Sequence, residues 1–181
     1  MAIQTRGHTL SNGKVLIVRD ATPDDASSII TFLEAMSAES DNLTFGPGEF
    51  GYSEAHERAF IGDCETADNR LFLVAFIDDA FIGMVTFTGG DRPRLRHSGE
   101  IGLVVSKAHW DKGIGSILLD SVVQWAQGGG AVTKLNLRVR TDHARAVALY
   151  ESKGFRIEGT ITRALRIRGG YFDHYWMGME I

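Results

Sequence analysis

The stretch His109-Trp110-Asp111-Lys112-Gly113-Ile114-Gly115-Ser116 joins an apolar run at 101–105 to a segment, 114–127, with an amphipathic helical pattern. In that segment Ile114, Ile117, Leu118, Val122, Trp125 and Ala126 fall on one face of a helix. Two glycines one residue apart, Gly113 and Gly115, remove Cβ atoms where strand turns into helix, so the backbone can turn sharply and approach a ligand closely. The free N–H groups of the helix start point outward, backed by the positive end of the helix dipole. Such a place suits an anion, typically a phosphate. The dinucleotide fingerprint fails, because its third glycine position is Leu118. The Walker pattern fails too, because no Gly-Lys-Ser/Thr closes the turn. The glycine pair alone is therefore read either as an anion site or as a plain tight turn.

Downstream, Gly128-Gly129-Gly130 ends the helix. Residues 134–140 form a strand with Leu135, Leu137 and Val139 inward and charges outward. A short helix at 143–153 stops at Gly154, and 155–167 pairs with 171–179 across Arg168-Gly169-Gly170. Upstream, 97–106 is a strand, and 71–77 and 80–88 form an antiparallel hairpin over Asp78-Asp79. A helix spans 53–63. Before it, the loop 39–52 carries Leu43, Phe45, Phe50 and Tyr52 among its glycines. These apolar residues either wall a pocket or tuck into the core. Thr22-Pro23-Asp24-Asp25 opens a helix with Ile29, Phe32, Leu33 and Met36 on its buried stripe. Asn12-Gly13 marks a hairpin between 5–10 and 14–20.

This alternation is α+β, and no shift in composition divides it, so one domain over 1–181 is expected. The chain has 181 residues, enough for a full core. Its net charge is −4 with no basic tract, which disfavours nucleic-acid binding. Cys64 is the sole cysteine, so no intrachain disulfide is possible, and a lone thiol fits a reducing cytoplasm. No apolar run approaches membrane-spanning length, and the N-terminus lacks a signal-peptide pattern. A cytoplasmic protein without a metal, a membrane partner or a nucleic-acid partner is expected.

Residues 139–155 read Val-Arg-Thr-Asp-His-Ala-Arg-Ala-Val-Ala-Leu-Tyr-Glu-Ser-Lys-Gly-Phe. With the glycine turn at its distance upstream, this resembles the GNAT superfamily of N-acetyltransferases. That family has Gln/Arg-x-x-Gly-x-Gly/Ala between strand and helix, then Asn-x-x-Ala-x-x-Leu-Tyr-x-x-x-Gly-Phe. Gly113, Gly115, Ala146, Leu149, Tyr150, Gly154 and Phe155 match. The resemblance runs from Lys14 to the end of the chain, and the last segment looks like bacterial members acting on small molecules or protein N-termini. It implies a central mixed, mostly antiparallel sheet of six to seven strands with about four helices. It also implies acetyl-CoA as cosubstrate. The pyrophosphate would sit on the amides of Asp111, Lys112, Gly113, Ile114, Gly115 and Ser116. The pantetheine arm would pair with the backbone of Leu103, Val104 and Val105, admitted where strands 101–105 and 134–140 splay apart.

Two positions depart from the pattern. Trp110 replaces the usual Gln or Arg, and His143 the usual Asn. One side-chain contact to phosphate is thereby lost. Asp111 should point away from it, while Lys112 either compensates or is a solvated lysine. His143 either bonds the cofactor arm or simply begins a helix.

The reaction implied is attack of an amine on the thioester, the acceptor being a small molecule such as an amino-acid derivative. The oxyanion would be met by a backbone N–H near Val104 or Val105. By motif, Tyr150 is the acid for the leaving thiolate: a phenol, whose ordinary pKa of about 10 lies above a thiol's of about 8.5, is protonated and available. Glu100, on the strand leading to the acetyl site, is the candidate base, or else a strand glutamate in a salt bridge. His97, Asp173 and His174 are further candidates, and Glu49 and Tyr52 lie on a loop that can reach substrate. Other readings are a protein N-terminal or lysine acetyltransferase, an acyl-CoA sensor without turnover, and a nucleotide-binding protein. The aromatic last strand, with Tyr171, Phe172, Tyr175 and Trp176, either pairs across a homodimer or belongs to the core.

Overall fold

The structure is a computed structural model that describes residues 5–181. Eight strands form one sheet: β1 (Arg6–Thr9), β2 (Val15–Asp20), β3 (Arg70–Ile77), β4 (Ala80–Gly89), β5 (Ser98–Val105), β6 (Lys134–Arg140), β7 (Arg156–Ile167) and β8 (Gly170–Glu180). Their order is β1-β2-β3-β4-β5-β6-β8-β7. Every pairing is antiparallel except β5 with β6. The count exceeds the expected six to seven because the short N-terminal hairpin adds β1 at one edge. The closing hairpin folds back so that β7, not β8, forms the other edge. The aromatic strand β8 is thus interior, and its backbone is not available for pairing across a dimer.

Four helices cover the sheet: α1 (Ala26–Glu39), α2 (Glu54–Thr66), α3 (Ile114–Gly129) and α4 (Ala144–Ser152). Strand alternation sorts the core into two layers. Leu71, Leu73 and Ala75 of β3 pack with α3, while Phe72 and Val74 pack with α1 and with Ile61 of α2. Local chemistry sets the helix ends. Thr22 and Asp25 close a capping box on the short 3-10 turn Pro23–Asp25, which leads directly into α1. The Ser53 hydroxyl accepts the His56 N–H at 3.2 Å to start α2. No helix among the described residues is long and apolar enough to cross a membrane.

The feature that positions the site is the parallel pair. β5 and β6 are in register only at Ser98–Lys134, Gly99–Leu135 and Glu100–Asn136. Beyond these the strands separate, so the splay involves 137–140 rather than the whole of 134–140. β5 stays paired to β4 through Val105, and β6 stays paired to β8 through Arg140. The sheet therefore carries a wedge-shaped gap with strand edges on both sides.

Candidate active site

The edge of β5 that faces the gap follows from its hydrogen bonds. The Ser106 N–H donates to the Ile82 carbonyl, and the Gly90 N–H to the Ser98 carbonyl, so even-numbered residues turn their backbone toward β4. Ile101, Leu103 and Val105 then turn theirs into the gap. Val104, expected with Leu103 and Val105 as a backbone partner for the cofactor arm, instead faces β4, opposite Met84. Its side chain still lines the cavity.

A cavity of about 740 Å³ runs through the gap from one face of the sheet to the other. On the α3 side it is lined by Asp111, Gly113, Ile114, Gly115 and Ser116, with His143, Arg145 and Tyr150 from α4 and the turn before it. The two glycines have different jobs. Gly113 is the N-cap of α3 at φ +78°, a left-handed conformation in which a Cβ is costly. A Cβ on Gly115 would come within 3.2 Å of Leu149, so this glycine lets the start of α3 close on α4. The first helical amide with a partner here is that of Ile117, which donates to the Gly113 carbonyl. The N–H groups of Ile114, Gly115 and Ser116 precede it and are left for a ligand.

Around this turn the side chains differ from expectation. The Trp110 indole N–H donates to the Val105 carbonyl at 2.8 Å. Its ring supports the Arg145 guanidinium, 4.0 Å above the ring centre. Arg145 also binds Asp111 at 3.0 Å. The Asp111 carboxylate is mostly exposed to solvent, where this guanidinium offsets its charge. Lys112, expected among the cofactor-binding residues, folds back onto the Ala108 carbonyl at 2.8 Å and does not line the cavity. The positive side chain at the turn is Arg145, which sequence reasoning missed. The signal was its place one turn from Trp110 and Asp111 in space, and no spacing rule shows that. His143 caps α4 through Nδ1, which accepts the Ala146 N–H at 3.3 Å, so a histidine does what the usual asparagine does. Burial, then the charge of Arg145, hold its pKa below the ordinary histidine value. The ring is thus neutral, with its remaining N–H on Nε2. Tyr150 is buried against Phe155, and burial pushes its hydroxyl pKa up to about 12.

On the other face, beneath the segment joining α1 to α2, the lining is of side chains. Glu100 of β5, Arg138 and Arg140 of β6 and His174 of β8 stand together there. The Arg138 Nε binds the Glu100 carboxylate at 2.6 Å. Arg140 binds Asp142 at 2.6 and 2.9 Å and the Asp41 carbonyl at 3.0 Å, and lies over Phe172. Of the β6 charges that read as solvent-facing, Arg138 and Arg140 also line the cavity; Arg140 is covered by the connecting segment, while Arg138 keeps an exposed side chain. Leu43, Phe45 and Phe50 of that segment both wall the cavity and pack on the α1 core, so the two readings of the loop are both met. Glu49 and Tyr52 do not line it. Glu49 accepts the Gly46 N–H at 2.7 Å, and Tyr52 stacks on His56. His97 and Asp173 are also outside the lining. The Asp173 carboxylate accepts the Arg163 N–H at 2.7 Å. Among the described residues no cluster of histidine, cysteine or acidic side chains suits a metal ion.

The model of the acetyltransferase (GNAT) family matches residues 35–155, which include both cavity-lining helix starts. A solved GNAT-family acetyltransferase from Streptococcus pneumoniae is 35% identical, with a TM-score of 0.89 over 92% of this chain and 99% of that one. A phosphinothricin acetyltransferase from Sinorhizobium meliloti, solved in complex with AcCoA, shares the fold at 22% identity, with a TM-score of 0.78 over 96% and 89% of the two chains. The L-amino acid N-acetyltransferase AaaT of Escherichia coli K12 is 32% identical over 105 residues, which are 58% of this chain and 65% of that protein. The matched segment therefore spans just under two thirds of this relative. From the splayed parallel pair, the glycine turn and the extent of the family match, the chain belongs to the GNAT family of acetyltransferases.

Proposed function

We propose that this protein transfers the acetyl group of acetyl-CoA to the primary amine of a small molecule, such as an amino-acid derivative, with both sides of the site supplied by one domain. The observation that carries this reading is the gap between β5 and β6, which joins an anion-binding backbone turn on one face to a walled, charged chamber on the other. The residues present suit the cosubstrate. Inward-facing backbone at Ile101 and Leu103, and the N–H of Val105, whose carbonyl is taken by Trp110, offer an added strand its partners, and the amides of Ile114, Gly115 and Ser116 await phosphate oxygens. Arg145, held flat by Trp110, supplies the side-chain donor to phosphate that the family's Gln or Arg gives from the turn itself.

When bound, the thioester supplies an acetyl carbonyl open to attack by an amine. Of the two expected oxyanion donors only Val105 turns its N–H into the gap, since the Val104 N–H faces β4. Tyr150 holds its proton at any working pH and is the group that would protonate the departing sulfur. The proton of the incoming ammonium must go to a group on the chamber side, where Glu100 and His174 stand. Apolar walls from Leu43, Phe45 and Phe50 suit a small acceptor better than an extended peptide.

The test is thiol release from acetyl-CoA over a panel of amino acids, polyamines and peptide N-termini. Release with small amines is expected. Tight acetyl-CoA binding without release on any amine would contradict the reading and favour a sensor. Release with peptides alone would overturn the small-molecule assignment.

A further inference from the structure

His174 lies on β8 opposite Arg140 of β6 and Ile161 of β7. Paired residues of antiparallel strands share a face, so its ring stands on the chamber side with Arg138, Arg140 and Glu100. The residue is only 4% exposed, it lines the cavity, and neither ring nitrogen has a hydrogen-bond partner among the described residues. Leaving both nitrogens of a buried imidazole unpaired costs free energy that the fold does not recover. Its neighbours are satisfied: Glu100 is bound by Arg138, and Arg140 by Asp142 and the Asp41 carbonyl. The hydrogen-bonding capacity of His174 is therefore left for whatever enters the chamber.

Resting on the acetyl-transfer reading, we propose that His174 takes the proton from the acceptor's ammonium, while the Glu100–Arg138 pair positions the acceptor. A neutral imidazole has one ring nitrogen free to accept a proton. The surroundings keep it neutral: burial first, then the charges of Arg138 and Arg140, hold its pKa below the ordinary histidine value, against the weaker pull of Glu100 and Asp142. Ile161, facing it from β7, adds no charge. Glu100 is the poorer candidate, because its carboxylate is already engaged by the Arg138 Nε at 2.6 Å, whereas both His174 ring nitrogens are without a partner among the described residues.

The protons balance. The acceptor ammonium loses one N–H proton to His174 and becomes nucleophilic. Its nitrogen bonds the carbonyl carbon, the C–S bond breaks, and sulfur takes the Tyr150 hydroxyl proton. The second N–H proton lost from nitrogen restores Tyr150 through water, and His174 returns its own proton to solvent. The products are the amide, the free thiol and one proton.

The experiment follows kcat/KM for the best amine of the panel from about pH 5 to 8, with saturating acetyl-CoA, in wild type, His174→Gln and Glu100→Gln. Loss of the base is expected to lower kcat/KM by about 10²-fold or more in His174→Gln, within the usual range for general-base catalysis. The deficit should shrink as pH approaches the amine's own pKa, with acetyl-CoA affinity unchanged. Added imidazole should partly restore His174→Ala. Glu100→Gln should raise KM for the amine yet keep the acid limb of the profile. A wild-type rate and acid limb in His174→Gln would overturn the proposal. So would a His174 ring that NMR titration of the wild-type protein shows to be charged at neutral pH, a readout that needs no variant to fold. Turnover indifferent to His174 overturns this inference alone, whereas no turnover of any amine by the wild type overturns the acetyl-transfer reading as well.

Discussion

On the α3 side of the gap the groups offered to a ligand are mostly backbone amides, whereas on the α1 side they are side chains from β5, β6 and β8. The amides are aimed by one local event, the left-handed Gly113 that starts α3. The side chains are brought together by strand register and then roofed by a segment remote in sequence. A backbone site holds a constant ligand fragment and tolerates changes of side chain, as Trp110 and His143 illustrate. A side-chain site can be retuned one residue at a time, which suits the half of a transferase that chooses the acceptor. Damage on the two sides should therefore separate: cosubstrate affinity on one, acceptor turnover on the other.

The largest effect should come from the residue between them. Tyr150→Phe is expected to lower kcat by about 10²- to 10⁴-fold, the usual range for a lost general acid, with acetyl-CoA affinity intact. Steady-state kinetics beside a binding titration would check this, and unchanged turnover would remove Tyr150 from the mechanism. With its pKa raised to about 12, Tyr150 should add no alkaline limb to the pH profile at working pH. Gly115→Val comes next. Its side chain would press on Leu149, an overpacking that costs about 1–3 kcal/mol. If the α3–α4 contact yields, acetyl-CoA affinity should fall by about tenfold or more while circular dichroism still reports the fold. The smallest effect is Arg145→Ala. This residue is nearly half exposed, so the lost contact is discounted to about 1 kcal/mol, or roughly fivefold in acetyl-CoA affinity, fading with added salt. An affinity that ignores both the substitution and salt would exclude Arg145 from the phosphate site.

Most of the fold and half of the site were legible in the sequence, for the same reason that the two sides differ. Helix starts, hairpin turns and the glycine turn depend on residues within a few positions of one another, so Thr22, Asn12-Gly13 and Gly113 announce them. The alternation of β6 showed which residues face α3. It did not show that Arg138 and Arg140 line a chamber, because the wall that completes it, including Asp41 over Arg140, lies about a hundred residues away. The Trp110–Arg145–Asp111 cluster was hidden in the same way, since two segments meet only after α4 docks on α3. The place of β8 inside the sheet depended on which way the last hairpin folds back, and aromatic content does not specify that.

The most direct test is a calorimetric titration of acetyl-CoA into wild type, Gly113→Val and Glu100→Gln. Valine at φ +78° would re-aim the amides of α3, at a backbone cost of about 1–3 kcal/mol. Gly113→Val should lose acetyl-CoA binding, and Glu100→Gln should bind it like wild type. Binding retained in Gly113→Val, or lost in Glu100→Gln, would contradict a site divided by the gap into a backbone half and a side-chain half.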